Sequence, residues 1–274
     1  VTQGAEVDEF ESELCKFFGL PNGHSVMVSS GSAALYLALW VLKGKDKRIG
    51  LPVYSCAALR NAVGMIGGNS VYLDCVESSP NLDVAKAEKA DLDILIVPSM
   101  YGIPIDLPEN PKFRVIEDLA QALGAKLNGR RIGLRGEIGI CSFYGTKMIT
   151  SGGQGGALIS RNKILIEKIK DYREFDCRED TRLRFNFQMT DLQAAIGRVQ
   201  LSRLPKFIER RERLFCIYKK AGLDLLDGTG CPVRYRAVLI SSQPKKMIKK
   251  LENEGVTAIN PLEEYELLDI PSKF

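Results

Sequence analysis

A lysine, an acid and a serine–glycine turn are the residues here whose types and settings suit chemistry. Lys147 sits inside "SFYGTKMITSGGQGG", residues 142–156, between an aromatic, strand-like run and a loop with glycines at 152, 153, 155 and 156. Those glycines would let backbone approach a ligand closely. A lysine held there could act as a nucleophile once neutral. Taken alone, it reads equally as a hairpin lysine facing solvent. Asp118 lies in "RVIEDLAQALGA", residues 114–125, at the carboxyl end of an apolar run. Adjacent strand residues point to opposite faces, so Glu117 and Asp118 cannot both serve one site. Gln121 falls one helical turn past Asp118, on the same side of a helix starting there. Such an acid suits a metal ligand, a base, a partner for a cationic ring nitrogen, or a helix cap. "SSGSAALYLAL", residues 29–39, puts serines and a glycine before an apolar helix. That start can cradle an anion, or Ser30 or Ser32 can simply cap the helix.

Together the three features are the parts a pyridoxal 5'-phosphate (PLP) site needs. These are an anion cradle, a carboxylate facing the pyridinium nitrogen, and a lysine that forms the Schiff base. The P-loop pattern G-x-x-x-x-G-K-[ST] is absent.

These residues must be positioned by strands and helices in alternation. Strand-like runs fall at 25–29, 49–53, 71–74, 93–97, 114–117, 140–144 and 157–160. The near-continuous apolar ones indicate a mostly parallel sheet covered on both faces. Helices are expected at 7–18, 33–42, 57–66, 163–174 and 191–219. Alternation of this kind implies an α/β fold with right-handed crossovers. Beyond about residue 200 a strand at 235–241 and a helix at 243–254 suggest a small α+β piece.

Composition narrows the function classes. The 274 residues carry a net charge of +4, with basic residues interleaved with acids. That gives no electrostatic case for nucleic acid. No apolar run reaches transmembrane length and no secretory signal opens the chain. Seven cysteines, none at C-x-x-C spacing, read as reduced thiols of a cytoplasmic protein. A single histidine, His24, makes a Ser/His/Asp triad or a multi-histidine metal centre a poor reading, and no metal is expected.

Several segments, in order, resemble the DegT/DnrJ/EryC1/StrS family of sugar aminotransferases. They are "GAEVDEFE" (4–11), "SSGSAAL" (29–35), "LPVYSCAALRNAV" (51–63), "SVYLDC" (70–75), "YGIPIDL" (101–107), "VIEDLAQALGA" (115–125), "SFYGTKMITSGGQGGAL" (142–158) and "FNFQMTDLQAAIGRVQL" (185–201). The lysine segment is most similar to the perosamine-synthase branch. The resemblance implies a three-layer, fold type I PLP-transferase with a seven-stranded sheet. It implies a large PLP-binding domain over 1–200 and a small C-terminal domain over 201–274. The latter is expected to be incomplete, because "NPLEEYELLDIPSKF" resembles only the beginning of the family's closing segment. The implied activity moves an amino group from L-glutamate to a keto sugar linked to a nucleotide. A cyclitol or another ketone as acceptor, or a non-catalytic sensory protein on the same fold, are the alternatives. In the family's sugar 3-dehydratases histidine replaces the lysine, and Lys147 argues against that branch.

Residue by residue, the resemblance makes Lys147 the Schiff-base lysine and Asp118 the partner of the pyridine nitrogen. Gln121 would contact the phenolic oxygen. Gly31, Ser32, the amide of Ala33 and Ser142 would bind phosphate. Asn186 would reach the phosphate of a neighbouring subunit, so a homodimer with shared sites is expected. Cys56 stands where many members place a ring over the cofactor, and Tyr54 nearby is expected to compensate. Ser99 and Gln188 replace a frequent histidine and arginine, which is expected to alter substrate contacts.

Overall fold

The continuous apolar run at 94–97 belongs on a strand covered on both faces. In the computed structural model, which describes residues 3–263 and 266–268, that run forms most of β4 (Ile94–Pro98). Its sheet contains β1 (Ser25–Val28), β2 (Arg48–Pro52), β3 (Asn69–Leu73), β5 (Arg114–Asp118), β8 (Ile138–Ser142) and β9 (Gly156–Ile159). The order is β1-β9-β8-β5-β4-β2-β3. From β8 to β3 every neighbouring pair is parallel. Only β9 breaks the pattern, pairing antiparallel with β1 and β8. All seven expected strands are therefore present, in a mostly parallel sheet.

Side chains alternate across this sheet, as a two-residue period requires. Val26, Val28, Ile140 and Leu158 pack under α2 (Gly31–Val41), α3 (Ala58–Ile66) and α5 (Lys163–Arg173). Met27, Cys141, Ala157 and Ile159 face the opposite layer, α1 (Ala5–Phe18) and α6 (Asp191–Lys220). The result is three layers, helices on both faces of one sheet, and it places the strand ends at a common edge.

Three local expectations change. No helix starts after β5. The chain leaves in successive turns (Ala122 N–H to Leu119 O, Ala125 N–H to Ala122 O) and reverses at Gly124, whose φ is +95°. Residues 235–241 form no strand. Tyr235 donates to Tyr101, while residues 238 and 240 bond to 226 and 224, so no single neighbour can build a ladder. Two short features were not anticipated: α4 (Val84–Lys89), capped by Asp83, and a hairpin of β6 (Lys126–Leu127) and β7 (Arg130–Arg131). The last helix, α7 (Pro244–Asn253), is where expected. Of the closing segment at 260–274, residues 264–265 and 269–274 lie outside the described residues.

Candidate active site

Crevices at the carboxyl ends of parallel strands are where open α/β sheets bind ligands. A cavity of about 300 Å³ lies there, at the small end of the usual range for ligand sites. Asp118 enters it from the end of β5 and Ser142 from the end of β8. The start of α2 supplies Gly31 and Ser32, and Cys56, Gln121 and Lys147 come from the following loops. Seven of the nine residues expected at the site thus line one space.

The candidate anion cradle is built by close approach. Ser30 caps α2, its Oγ accepting from the Ala33 amide at 3.1 Å. Ala33 itself is not part of the lining. Gly31 and Ser32, at the helix start, carry amides that have no intrahelical partner, and the helix dipole adds positive character. A Cβ on Gly31 would sit 2.7 Å from the Ser142 Cβ, and one on Gly156 would collide with the Ser30 carbonyl. Glycine at both positions lets α2 press against the ends of β8 and β9. The loop glycines act differently from expectation. Gly155 and Gly156 pack against protein atoms, and from that loop it is Gln154 that reaches the cavity.

Asp118 and Glu117 divide as strand alternation demands. Asp118, 6% exposed, faces the cavity, with its Oδ1 accepting from the Ala120 amide at 2.8 Å. Burial raises its pKa, opposed by that amide and by the charge of Lys147. Glu117 turns to the other face and accepts from the amides of Gly133, Arg135 and Gly136 at 2.7, 2.7 and 2.8 Å. It is a clamp for the 133–136 loop. Glu117→Ala would orphan three amides, so a loss of about 3 kcal/mol and a melting temperature lower by roughly 6–12 °C are expected. An unchanged melting curve would show that the loop is held by something else.

The remaining residues refine the picture. Gln121 lines the cavity while its Oε1 accepts from the Tyr101 amide at 2.7 Å, which leaves its NH2 free to donate. Tyr101 is held in the left-handed region at φ 54°, uncommon for a bulky residue. Tyr54 does not compensate for Cys56: its hydroxyl lies 2.6 Å from that of Tyr101, and it is absent from the lining. Tyr144 is the aromatic residue of the cavity wall. Its place in the "SFYGTK" run, two residues past Ser142 in the strand expected at 140–144, is the available signal, although β8 ends at Ser142. Ser99 lines the cavity and Gln188 does not. Asn186 is exposed, outside the cavity, with its Oδ1 accepting from the Gln188 amide at 3.1 Å.

These residues fit a phosphate-bearing cofactor with a cationic ring. Free amides at a helix start line the cavity. The same cavity holds a buried carboxylate whose charge a backbone amide and Lys147 offset.

The family model of the DegT/DnrJ/EryC1/StrS aminotransferase family matches residues 1–253. The chain belongs to that family. A DegT/DnrJ/EryC1/StrS relative in Campylobacter jejuni, UDP-4-amino-4,6-dideoxy-N-acetyl-beta-L-altrosamine transaminase, is 30% identical over 80% of this chain and 62% of its own length. The dTDP-3-amino-3,4,6-trideoxy-alpha-D-glucose transaminase of Streptomyces venezuelae is 32% identical over 84% of this chain and 63% of its own. The chain thus spans less than two thirds of the length of these curated relatives. Among solved structures, S. venezuelae DesV in complex with a ketimine intermediate superposes with a TM-score of 0.88 at 27% identity. That likeness covers 99% of this chain and 80% of DesV.

Proposed function

We propose that this chain is the cofactor-binding part of a PLP-dependent aminotransferase that transfers an amino group from L-glutamate to a nucleotide-linked keto sugar. The observation that carries this reading is the convergence of Lys147, Asp118 and the α2 start on one cavity. PLP bound there supplies an electron sink for negative charge developing at the donor's Cα. Lys147 is the residue that would hold it covalently. Once free, the lysine amine takes the proton from the donor's Cα and later returns one to the acceptor carbon. Asp118 would pair with the ring nitrogen, and Gln121 would donate to the phenolic oxygen. Gly31, Ser32 and Ser142 would hold the phosphate. The sugar substrate is inferred from the names of the two transaminases above.

Two parts of the reading concern setting. A homodimer with shared sites is supported by Asn186, which lies outside its own cavity and beside exposed apolar side chains. Leu183 is 90% exposed, and Phe185 and Leu192 are exposed too. A cytoplasmic location goes with seven free thiols. Among the described residues no helix is long and apolar enough to cross a membrane. Recovery of the native protein from an oxidising compartment would contradict the location.

The deciding measurement is the absorbance of purified, PLP-loaded protein with and without L-glutamate. The Schiff-base band is expected to convert to that of the amine form. A protein that binds PLP but never converts with any amino donor would instead be the non-catalytic alternative.

A further inference from the structure

Tyr235 carries two cations. The Lys147 Nζ lies 5.7 Å from its ring centroid and the Arg236 guanidinium 5.4 Å, both within cation–π range. A third cation, Arg211, donates to the carbonyls of Arg234 at 3.2 Å and Tyr235 at 2.9 Å. The nearby acids are already committed, since Glu212 and Asp227 pair with Arg234 at 2.8 and 2.6 Å. Among the described residues Arg211 and Arg236 form no salt bridge, and Lys147 forms none either, although its charge acts on Asp118. Burial lowers the pKa of Arg211, and the charge of Arg236 acts in the same direction.

This positive charge sits at a fixed place. Tyr235 and Val233 donate to the carbonyls of Tyr101 and Gly102, both at 3.2 Å. Gly102 has φ +84°, and a Cβ there would fall 2.7 Å from Val233. The 233–235 segment is thus seated on the turn that follows β4, whose Ser99 and Met100 line the cavity. Arg236 is exposed and makes no hydrogen bond among the described residues. It lines a separate groove of about 600 Å³ together with Tyr101 and Tyr235, so the ring of Tyr235, which also faces Lys147, is what joins this groove to the reacting lysine.

We infer that Arg236 is the docking point for an oxyanion of a substrate whose reacting end lies at Lys147. The inference rests on the aminotransferase reading only in taking Lys147 as the reacting end. A guanidinium presents a planar fork matched to carboxylate or phosphate, and an arriving anion also relieves its repulsion with Arg211. The oxyanion is either a carboxylate of the amino donor or a phosphate of the nucleotide, and the test separates the two.

Calorimetric titration of PLP-loaded wild type, Arg236→Gln and Arg236→Lys with glutarate, and separately with uridine diphosphate, is the experiment. Arg236→Gln is expected to weaken one of the two about 10- to 100-fold, the scale of one charged hydrogen-bonded contact. Arg236→Lys, which keeps charge but not the fork, is expected to fall between. Weakening confined to glutarate assigns the donor carboxylate, and weakening confined to uridine diphosphate assigns the nucleotide. Unchanged affinity for both, or no binding of either by the wild type, overturns the inference. Borohydride labelling of Lys147 is expected to be normal in both variants. Loss of the label in the wild type would instead strike the aminotransferase reading itself.

Discussion

Lys147→Ala is expected to abolish amino transfer, by on the order of 10⁴-fold or more. The substitution would remove both the proposed covalent anchor and the amine proposed to move the proton at the donor's Cα. Borohydride reduction followed by peptide mapping checks the anchor directly, and a label on any other lysine ends the assignment. The same variant tests whether sites are shared. Asn186→Asp would set a carboxylate against a phosphate, a repulsion of about 4 kcal/mol at ~4 Å and an effective dielectric of ~20. Each variant alone should be inactive. If Asn186 serves the neighbouring subunit, a mixed dimer has one doubly damaged site and one intact site. With random pairing half the dimers are mixed, so roughly a quarter of wild-type sites return on co-expression. Mixed dimers without activity would show that Asn186 serves its own subunit.

The second large effect is at Asp118. Asp118→Asn keeps the shape of the side chain and removes the charge opposite the ring nitrogen. Turnover is expected to fall at least about 100-fold, the scale of deleting one preorganised electrostatic contact. Stability should move the other way. Because burial raises its pKa, the folded cofactor-free protein holds the Asp118 proton more tightly than the unfolded chain does. That contribution is complete below the ordinary aspartate value of about 3.9 and is lost as pH rises through the folded-state value. Cofactor-free Asp118→Asn should therefore melt above wild type at neutral pH, with the gap closing toward pH 4. Near-normal turnover, or a gap that widens in acid, would remove Asp118 from its role.

Much of this was legible in the sequence, for identifiable reasons. Period and apolar content placed all seven strands because each sheet residue faces a helix layer or a neighbour of fixed parity. The same parity separated Asp118 from Glu117. What escaped depends on contacts between segments far apart in the chain. The run at 235–241 has strand-like composition, yet its hydrogen bonds are divided between Tyr101 and residues 224–226. Tyr54 is expected to supply the ring that Cys56 lacks, but its hydroxyl is held by that of Tyr101, a partner 47 residues away. The loop glycines read as ligand contacts, and the use of Gly156 in packing β9 against Ser30 is invisible without the fold. Nothing in the sequence marks Arg236, because the acids paired to its neighbour Arg234 lie on separate segments.

The antiparallel strand has a consequence for the order of assembly. β1 finds its sheet partner only in β9, with Ser25 opposite Ile159 and Val28 opposite Gly156. The start of α2 is walled by Gly156 and Ser142 as well. During synthesis, the helix proposed to hold the phosphate is made early, but its wall emerges only after the whole central sheet. Closing so long a loop is slow relative to local structure. The proposed anion site is therefore expected to form late in folding, so a cofactor bound there would seal a finished sheet rather than template it.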